Sequence, residues 1–425
     1  MLARGSDPPE PPGASMAPER QAASPHRAVL EIAGGRVLDP GQGIDAAATV
    51  RVADGTISGV DLAPGADAVP GDRRTIDAAG LLVTPGLVDL HTHLFPGVSH
   101  YGIEPDTYCA GRGVTTAVDA GSAGAQTFPG LRRYVIERSR TQVLAFLNIA
   151  VEGMISSLVG ELEDIRWGSP EQAIARAREN PDLIVGIKVR LGYQMVGNDP
   201  GPALRLAREA ADTLGLPLMV HVIDIRPSLD WLLPYLRRGD VVTHCFHGNE
   251  GGILDADGRV LPAAFRARDR GVLFDVGHGV GSFAYRVARA ALAQGFPPDT
   301  ISSDLHAHNV DGPAFDQATT LSKLLHLGMP LADVIRATTA APAAAVRREN
   351  RIGSLTAGRP ADVSVFELRD GHWPLPDAAG ATEVVERLLV PRMVIRAGEF
   401  RELTPRAGPD AAGRDVGGAA QGMGG

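Results

Sequence analysis

Between about residue 85 and residue 352 the chain alternates short apolar β-type runs with helical text rich in Ala, Arg and Glu. That alternation constrains the fold more than any other feature. The strand candidates are Gly86–Leu90, Thr115–Asp119, Val143–Ile149, Ile184–Val189, Leu218–Val222, Val241–Cys245, Leu273–Val276 and Thr300–Ser303. Helical stretches such as Pro170–Glu179 and Pro202–Leu214 lie between them. Continuous apolar strands that are buried on both faces belong to parallel sheets covered by helices. Eight of them in this alternation predict a closed (β/α)8 barrel over residues 85–352, with every strand ending at one rim, where such barrels carry their chemistry.

The flanking text is different. Val29–Ile32, Thr49–Val52 and Thr56–Val60 are short β-type runs separated by Gly, Asp and Pro turns, as in a small antiparallel sheet. The pattern returns in Ala361–Glu367 and Arg392–Ala397. Residues 27–84 and 353–404 are therefore expected to form one composite β-sandwich domain from both chain ends, with the barrel inserted between them. The fold class is α/β, a TIM barrel with a small β-sandwich. Residues 1–26, rich in Pro, Ala and Ser, and residues 405–425, rich in Gly and Ala, read as disordered tails. Met16 is a candidate second start.

Composition narrows the partners. A formal net charge of −9 argues against a nucleic-acid surface, which would be basic. No apolar run is long enough to span a bilayer, and the first twenty residues lack a secretory apolar segment. The expectation is a cytoplasmic protein with a small-molecule substrate and no nucleic-acid or membrane partner. The two cysteines, Cys109 and Cys245, cannot build a disulfide framework and lack metal-ligand spacing, so they read as packed thiols.

The rim residues carry the chemistry. The first strand runs into His91-Thr-His93, and residues two apart on a strand face the same side, so both imidazoles can share one metal. The fourth ends near Lys188, the fifth at His221, the sixth at His244 and the eighth at Asp304. A single His at a strand end is ordinarily a hydrogen-bonded structural residue. Four His, one Lys and one Asp ending five strands in this order are poorly explained by packing.

These residues resemble the ligand set of the amidohydrolase superfamily, and the resemblance extends over nearly all of residues 28–400. The segments Tyr101–Asp106, Gly113–Gly124, Ala145–Ile149, Asp275–Gly279 and Ser302–His306 are similar to its amidohydrolase/deacetylase branch, which is related to dihydroorotase. The resemblance implies two divalent cations, with His91, His93 and Asp304 at the more buried one and His221 with His244 at the outer one. It implies that Lys188 is carbamylated and bridges both ions. A neutral amine is needed for that reaction, and apolar burial lowers a lysine's pKa enough to supply it. Imidazole and carboxylate donors suit zinc first, and manganese or iron would fit the same set. Cation coordination lowers the pKa of water by many units, and Asp304 would be the catalytic group that moves the proton to the leaving group. The resemblance also implies a homo-oligomer, a dimer or tetramer.

Around the metals, Arg190 could meet a substrate carboxylate with its fork of donors or lie in a surface ion pair. His278, taken to end the seventh strand, and Tyr101, on the loop after the first, are further candidate substrate contacts.

The reaction expected is hydrolytic removal of an acyl group, acetyl above all, from a small N-acyl amino acid or O-acyl hydroxy acid. The alternative is ring opening of a cyclic amide, as in dihydroorotase or hydantoinase. Dihydroorotases carry an Arg two residues beyond the His-x-His, and this chain has Phe95 there. A reading of another class, a non-catalytic scaffold, would be accompanied by lost ligands, and all of them are present.

Overall fold

The computed structural model describes residues 29–62, 73–156 and 158–404. The two tails read from the sequence, 1–26 and 405–425, lie outside the described residues.

Two sheets organise the chain. The first is built from both ends: β1 (Val29–Asp39), β2 (Ile44–Ala53), β3 (Thr56–Asp61), β4 (Arg73–Asp77) and β5 (Leu82–Pro85) from one. The second contains β6 (Leu87–Thr92), β7 (Val114–Gly124), β8 (Gln142–Asn148), β9 (Ile184–Arg190), β10 (Leu218–His221), β11 (Val241–Thr243) and β12 (Leu273–Asp275). The chain then returns to the first sheet as β13 (Val363–Pro376), β14 (Thr382–Arg396) and β15 (Glu399–Glu402).

The first sheet runs β15-β14-β13-β5-β1-β2-β3, with β4 pairing β1 off that path. It is mixed rather than purely antiparallel, because β4 and β5 both lie parallel to β1. Alternation explains its two faces: along β2, Ala48, Val50 and Val52 are buried while their neighbours are partly or fully exposed. Ile32, Val37, Val83, Val363 and Ile395 meet them in one core. The β13–β14 hairpin extends well beyond the runs the sequence suggested, and its far end holds a small cluster of its own, Trp373, Leu375, Val385 and Leu388.

Only Gly86 separates β5 from β6, so the chain steps from one sheet into the other in a single residue. Its N–H donates to the Asp362 carbonyl at 2.8 Å. A Cβ there would lie 2.1 Å from Thr115 Oγ1 and 2.9 Å from the Asp362 side chain, which only glycine avoids. The step locks the barrel's first strand to the β-domain.

The second sheet is parallel throughout, in sequential order β6 to β12. Leu90, Val118, Phe146, Val185, Met219 and Val241, one from each of the first six strands, form a single cluster, so the sheet curls around its own core. Helices cover the outside. Pro170–Glu179 starts on a Ser169 cap that accepts the Gln172 N–H. Gly201–Leu214 turns Ala203, Leu204, Ala207, Ala210 and Ala211 inward and stops at the left-handed Gly215.

The eighth strand expected at Thr300–Ser303 is not a regular strand. It is held by isolated parallel bridges, Asp275 to Thr300 on one side and Thr92 to Leu305 on the other, so it still closes the ring between β12 and β6. Backbone bonds from Val276, His278 and Gly279 to the carbonyls of Thr300, Ser302 and Ser303, and from His93 to Leu305, tie it on both sides, and side chains add to them. Asp89 accepts the Ser303 N–H at 2.9 Å and the Ser303 hydroxyl, and Asp275 accepts the hydroxyls of Thr300 and Ser302 at 2.7 and 2.6 Å. Among the described residues, no helix is long and apolar enough to cross a membrane.

Candidate active site

The strand ends of the curled sheet bring the expected ligands together. His91 lies on β6 and His93 just beyond it, their ring centroids 5.4 Å apart. His244, one residue past β11, lies 5.0 Å from the His91 ring and 4.4 Å from that of His221, the last residue of β10. Asp304 sits at the rim end of the closing segment. Its Oδ1 is 3.3 Å from His91 Nε2 and 3.1 Å from His93 Nε2. Lys188 projects from β9, its Nζ 3.2 Å from His91 Nε2. Two of these residues hold left-handed backbone, His244 at φ 75° and Asp304 at φ 46°. Such conformations cost free energy in non-glycine residues and cluster where function demands them.

Three of the four imidazoles are oriented from behind. His91 Nδ1 is 2.8 Å from Thr243 Oγ1, His93 Nδ1 2.9 Å from Ser122 Oγ, and His244 Nδ1 2.8 Å from the Gly277 carbonyl. With the Nδ1 atoms engaged, the Nε2 atoms of His91 and His93 face the Asp304 carboxylate. Burial is the leading cause that lowers the pKa of all four rings. His93 and His244 fall to about 3, and His91 and His221 lie well below the usual value. Neutral imidazoles with backed Nδ1 atoms are what metal ligation needs. Asp304 is buried, desolvation raises its pKa, and its Oδ1 has no hydrogen-bond donor among the described residues. A buried carboxylate oxygen without a donor is costly unless a cation faces it. His91, His244 and Asp304 offer ligand atoms all within 4.8 Å of one another, so the donor set fits a divalent cation. Lys188 is fully buried with a pKa lowered to about 7, desolvation being the main cause.

A cavity of about 330 Å³ opens over this cluster, a size suited to a small ligand. His91, His93, His221, His244 and Asp304 form part of its wall, and Tyr101, Met154, Arg190, Ile223, Val280 and His306 much of the rest. Arg190 is not on the surface: only 5% exposed, it is gripped by Glu161 through Nε and Nη2 at 2.6 and 2.8 Å. Desolvation opposes its charge, but the Glu161 carboxylate outweighs it and holds the guanidinium above its ordinary pKa. Tyr101 stacks on His93 at 5.3 Å and lies 4.5 Å from the His306 ring.

One candidate falls elsewhere. β12 ends at Asp275, so His278 is three residues beyond the strand and does not line the cavity. It is fully buried, stacked on Phe283 at 4.7 Å, with Nε2 2.8 Å from Lys323 Nζ. The flanking glycines let the chain turn inward there, which removes it as a substrate contact. His306, not among the site residues read from the sequence, lines the cavity instead, and its Nδ1 accepts the His308 N–H at 3.2 Å. Its signal was its spacing, two residues beyond Asp304. Cys109 and Cys245 are buried free thiols, and burial holds both well above the ordinary thiol pKa.

The amidohydrolase family profile matches residues 281–401. Over 384 residues the chain is 38% identical to a deacetylase of Agrobacterium fabrum, covering 89% of this chain and 93% of that one. It is 39% identical over 349 residues to a deacetylase of Brucella anthropi, covering 81% and 85%. Two solved structures superpose closely. One is described as an adenine deaminase, with a TM-score of 0.81 and 31% identity over 88% of this chain and 99% of that one. The other is described as a dihydroorotase, with a TM-score of 0.80 and 36% identity over 89% and 98%.

Proposed function

We infer, since this chain belongs to the amidohydrolase superfamily, that its barrel mouth hydrolyses the acyl bond of a small N-acyl amino acid or O-acyl hydroxy acid, releasing acetate. The observation that carries this is the buried Arg190 guanidinium lining the same 330 Å³ cavity as the His and Asp cluster. Glu161 already takes its Nε and Nη2 donors, so a substrate carboxylate would meet the Nη1 side of the guanidinium, which would put the scissile bond of a small acid over the cluster.

His91, His93 and Asp304 would hold one divalent cation and His221 with His244 a second, zinc by donor type, with Lys188 shared between them. Bound there, the ions supply Lewis acidity toward a carbonyl and lower the pKa of water. The chain's own groups do the rest. Lys188, with its pKa near 7, keeps a neutral fraction that can add carbon dioxide: the N–C bond forms, one proton leaves, and an anionic oxygen donor results. Asp304, its pKa raised by burial, can take a proton from the attacking water and hand it to the leaving amine or alkoxide. Arg190, Tyr101 and the apolar wall of Met154, Ile223 and Val280 orient the acid and keep water out.

The second reading is ring opening of a cyclic amide, which the dihydroorotase neighbour favours. Phe95 speaks against dihydroorotate itself. It is 4% exposed, packs in the barrel's hydrophobic core and does not line the cavity, so no cation stands there to hold a substrate carboxylate.

The deciding experiment incubates protein prepared with zinc and bicarbonate with a mixed library, followed by mass spectrometry. The library holds N-acetyl D- and L-amino acids, O-acetyl hydroxy acids, dihydroorotate and hydantoins, with Lys188→Ala as control. Acetate release absent from the control supports the deacylase. Ring-opened products would replace it with the cyclic amidase, and no turnover by metal-loaded protein would remove both.

A further inference from the structure

Asp275 is fully buried, yet among the described residues no cationic side chain hydrogen-bonds to it. Its partners are three hydroxyls: Thr300 Oγ1 at 2.7 Å on Oδ1, and Thr243 Oγ1 at 2.8 Å and Ser302 Oγ at 2.6 Å on Oδ2. Desolvation raises its pKa, and the hydroxyls of Ser302, Thr300 and Thr243 pull it back. Burying a carboxylate in this way is expensive, and the hydroxyls alone do not explain its place.

Where each hydrogen must point does explain it. A carboxylate only accepts, so Thr243 spends its one hydroxyl hydrogen on Asp275. The other neighbour of Thr243 Oγ1 is His91 Nδ1 at 2.8 Å, and toward it the oxygen can then only accept. His91 therefore carries its proton on Nδ1 and presents a bare Nε2 toward Asp304 and Lys188. A second branch runs through Ser302. Its oxygen accepts the Gly277 N–H at 3.1 Å while its hydrogen goes to Asp275. That anchors Gly277, whose carbonyl lies 2.8 Å from His244 Nδ1. A carbonyl only accepts, so His244 carries its proton on Nδ1 as well, and Ser302 holds the residue that presents this acceptor.

We propose that Asp275 is a positioning residue for both His91 and His244: through Thr243 it sets which nitrogen of His91 carries the proton, and through Ser302 it anchors Gly277, the residue whose carbonyl orients His244. The role rests on the metal-centre reading above. One carboxylate outside the cavity orders two imidazoles that lie 5.0 Å apart at centroid, and it also ties down the segment carrying Asp304.

The test uses the full chain loaded with zinc and measures zinc affinity by chelator competition, kcat and KM separately, and the melting temperature. The variants are Thr243→Val, Thr243→Ser, Asp275→Asn and the double variant Thr243→Val/Asp275→Asn. Thr243→Val keeps the shape and removes the hydroxyl. It is expected to weaken zinc binding and lower kcat by about tenfold or more, with KM changed less than about twofold. Thr243→Ser restores both. Asp275→Asn lowers both, and costs less when added to Thr243→Val than alone, because the two act along one path.

Four results would overturn the role: wild-type zinc affinity and kcat in Thr243→Val, failure of Thr243→Ser to recover, additive losses in the double variant, or lowered melting temperatures with zinc affinity unchanged. If Asp275→Asn does not fold, the Thr243 pair decides alone. A wild-type protein that takes up no zinc would instead sink the metal centre, and the positioning role with it.

Discussion

Lys188 Nζ lies 3.2 Å from His91 Nε2, joining β9 to β6 across the mouth of the barrel. A permanent ammonium would repel any cation at His91. The pair works only if the amine gives up its proton, and burial already lowers its pKa to about 7. Lys188→Ala should lower kcat/KM by at least about a hundredfold with loss of bound metal. Lys188→Arg should do no better, since a guanidinium cannot be deprotonated. Protein freed of carbon dioxide should gain activity on adding bicarbonate. Full activity without bicarbonate would contradict the carbamate.

The Glu161–Arg190 pair separates stability from recognition. Arg190→Met leaves a buried carboxylate without its counter-charge, expected to destabilise the fold by roughly 3–5 kcal/mol. Adding Glu161→Gln should recover much of that stability in urea unfolding. The KM for carboxylate substrates should stay high in the double variant, because the guanidinium facing the cavity is still missing. A double variant with normal KM would show that the pair is only structural.

Gly279, at φ 56°, is pressed against the Asp304 carboxylate. A Cβ there would stand 2.5 Å from Asp304 Oδ2 and 2.7 Å from Ser282 Oγ. Gly279→Ala should displace the carboxylate and lower kcat by about a hundredfold, as small misplacements can. The left-handed backbone adds about 1–2 kcal/mol of destabilisation, readable as a lower melting temperature. An alanine variant with full kcat would mean that the Asp304 position tolerates movement.

Lys323 makes stability depend on pH in an uncommon direction. Its Nζ donates to the carbonyls of Pro313 and Pro376, both at 2.7 Å, and lies 2.8 Å from His278 Nε2. Burial lowers its pKa from 10.5 to about 7. Between those values the unfolded chain binds the proton and the folded chain does not, so this residue's effect makes stability rise with pH from about 7 toward 10.5. Below pH 7 both states are protonated and the penalty is constant. Comparing urea midpoints across that window, Lys323→Met should show a smaller rise than wild type. Parallel curves would assign the slope elsewhere, Lys188 being the first suspect.

The barrel's periodic parts were legible because strand runs and helix faces are local patterns. Pro170–Glu179 forms as a helix over the span its residues suggested, and the residues that cluster at the mouth could be picked out from strand ends. What escaped reading depends on residues far apart in the chain. Asp89 meets Ser303 across 214 positions, and no local signal marks either as paired. Asp275 and Lys323 look like ordinary surface-type residues until the fold encloses them. His278 was misplaced because the glycines on both sides bend the chain away from the strand direction, so counting by two fails there. The closing segment also broke the pattern, since hydroxyl and carboxylate side chains reinforce a backbone pairing too irregular to read as a strand.

That closing segment has a consequence for the site as a whole. The five other proposed ligands lie on or directly beside strands that hydrogen-bond in sequence from β6 to β11, whereas Asp304 rides on the segment that joins the two edges of that sheet. Opening the ring at this seam would withdraw the proposed catalytic carboxylate at the same stroke, because the latch and the carboxylate are the same few residues. The integrity of the barrel and the completeness of the proposed site are thus one property of the molecule.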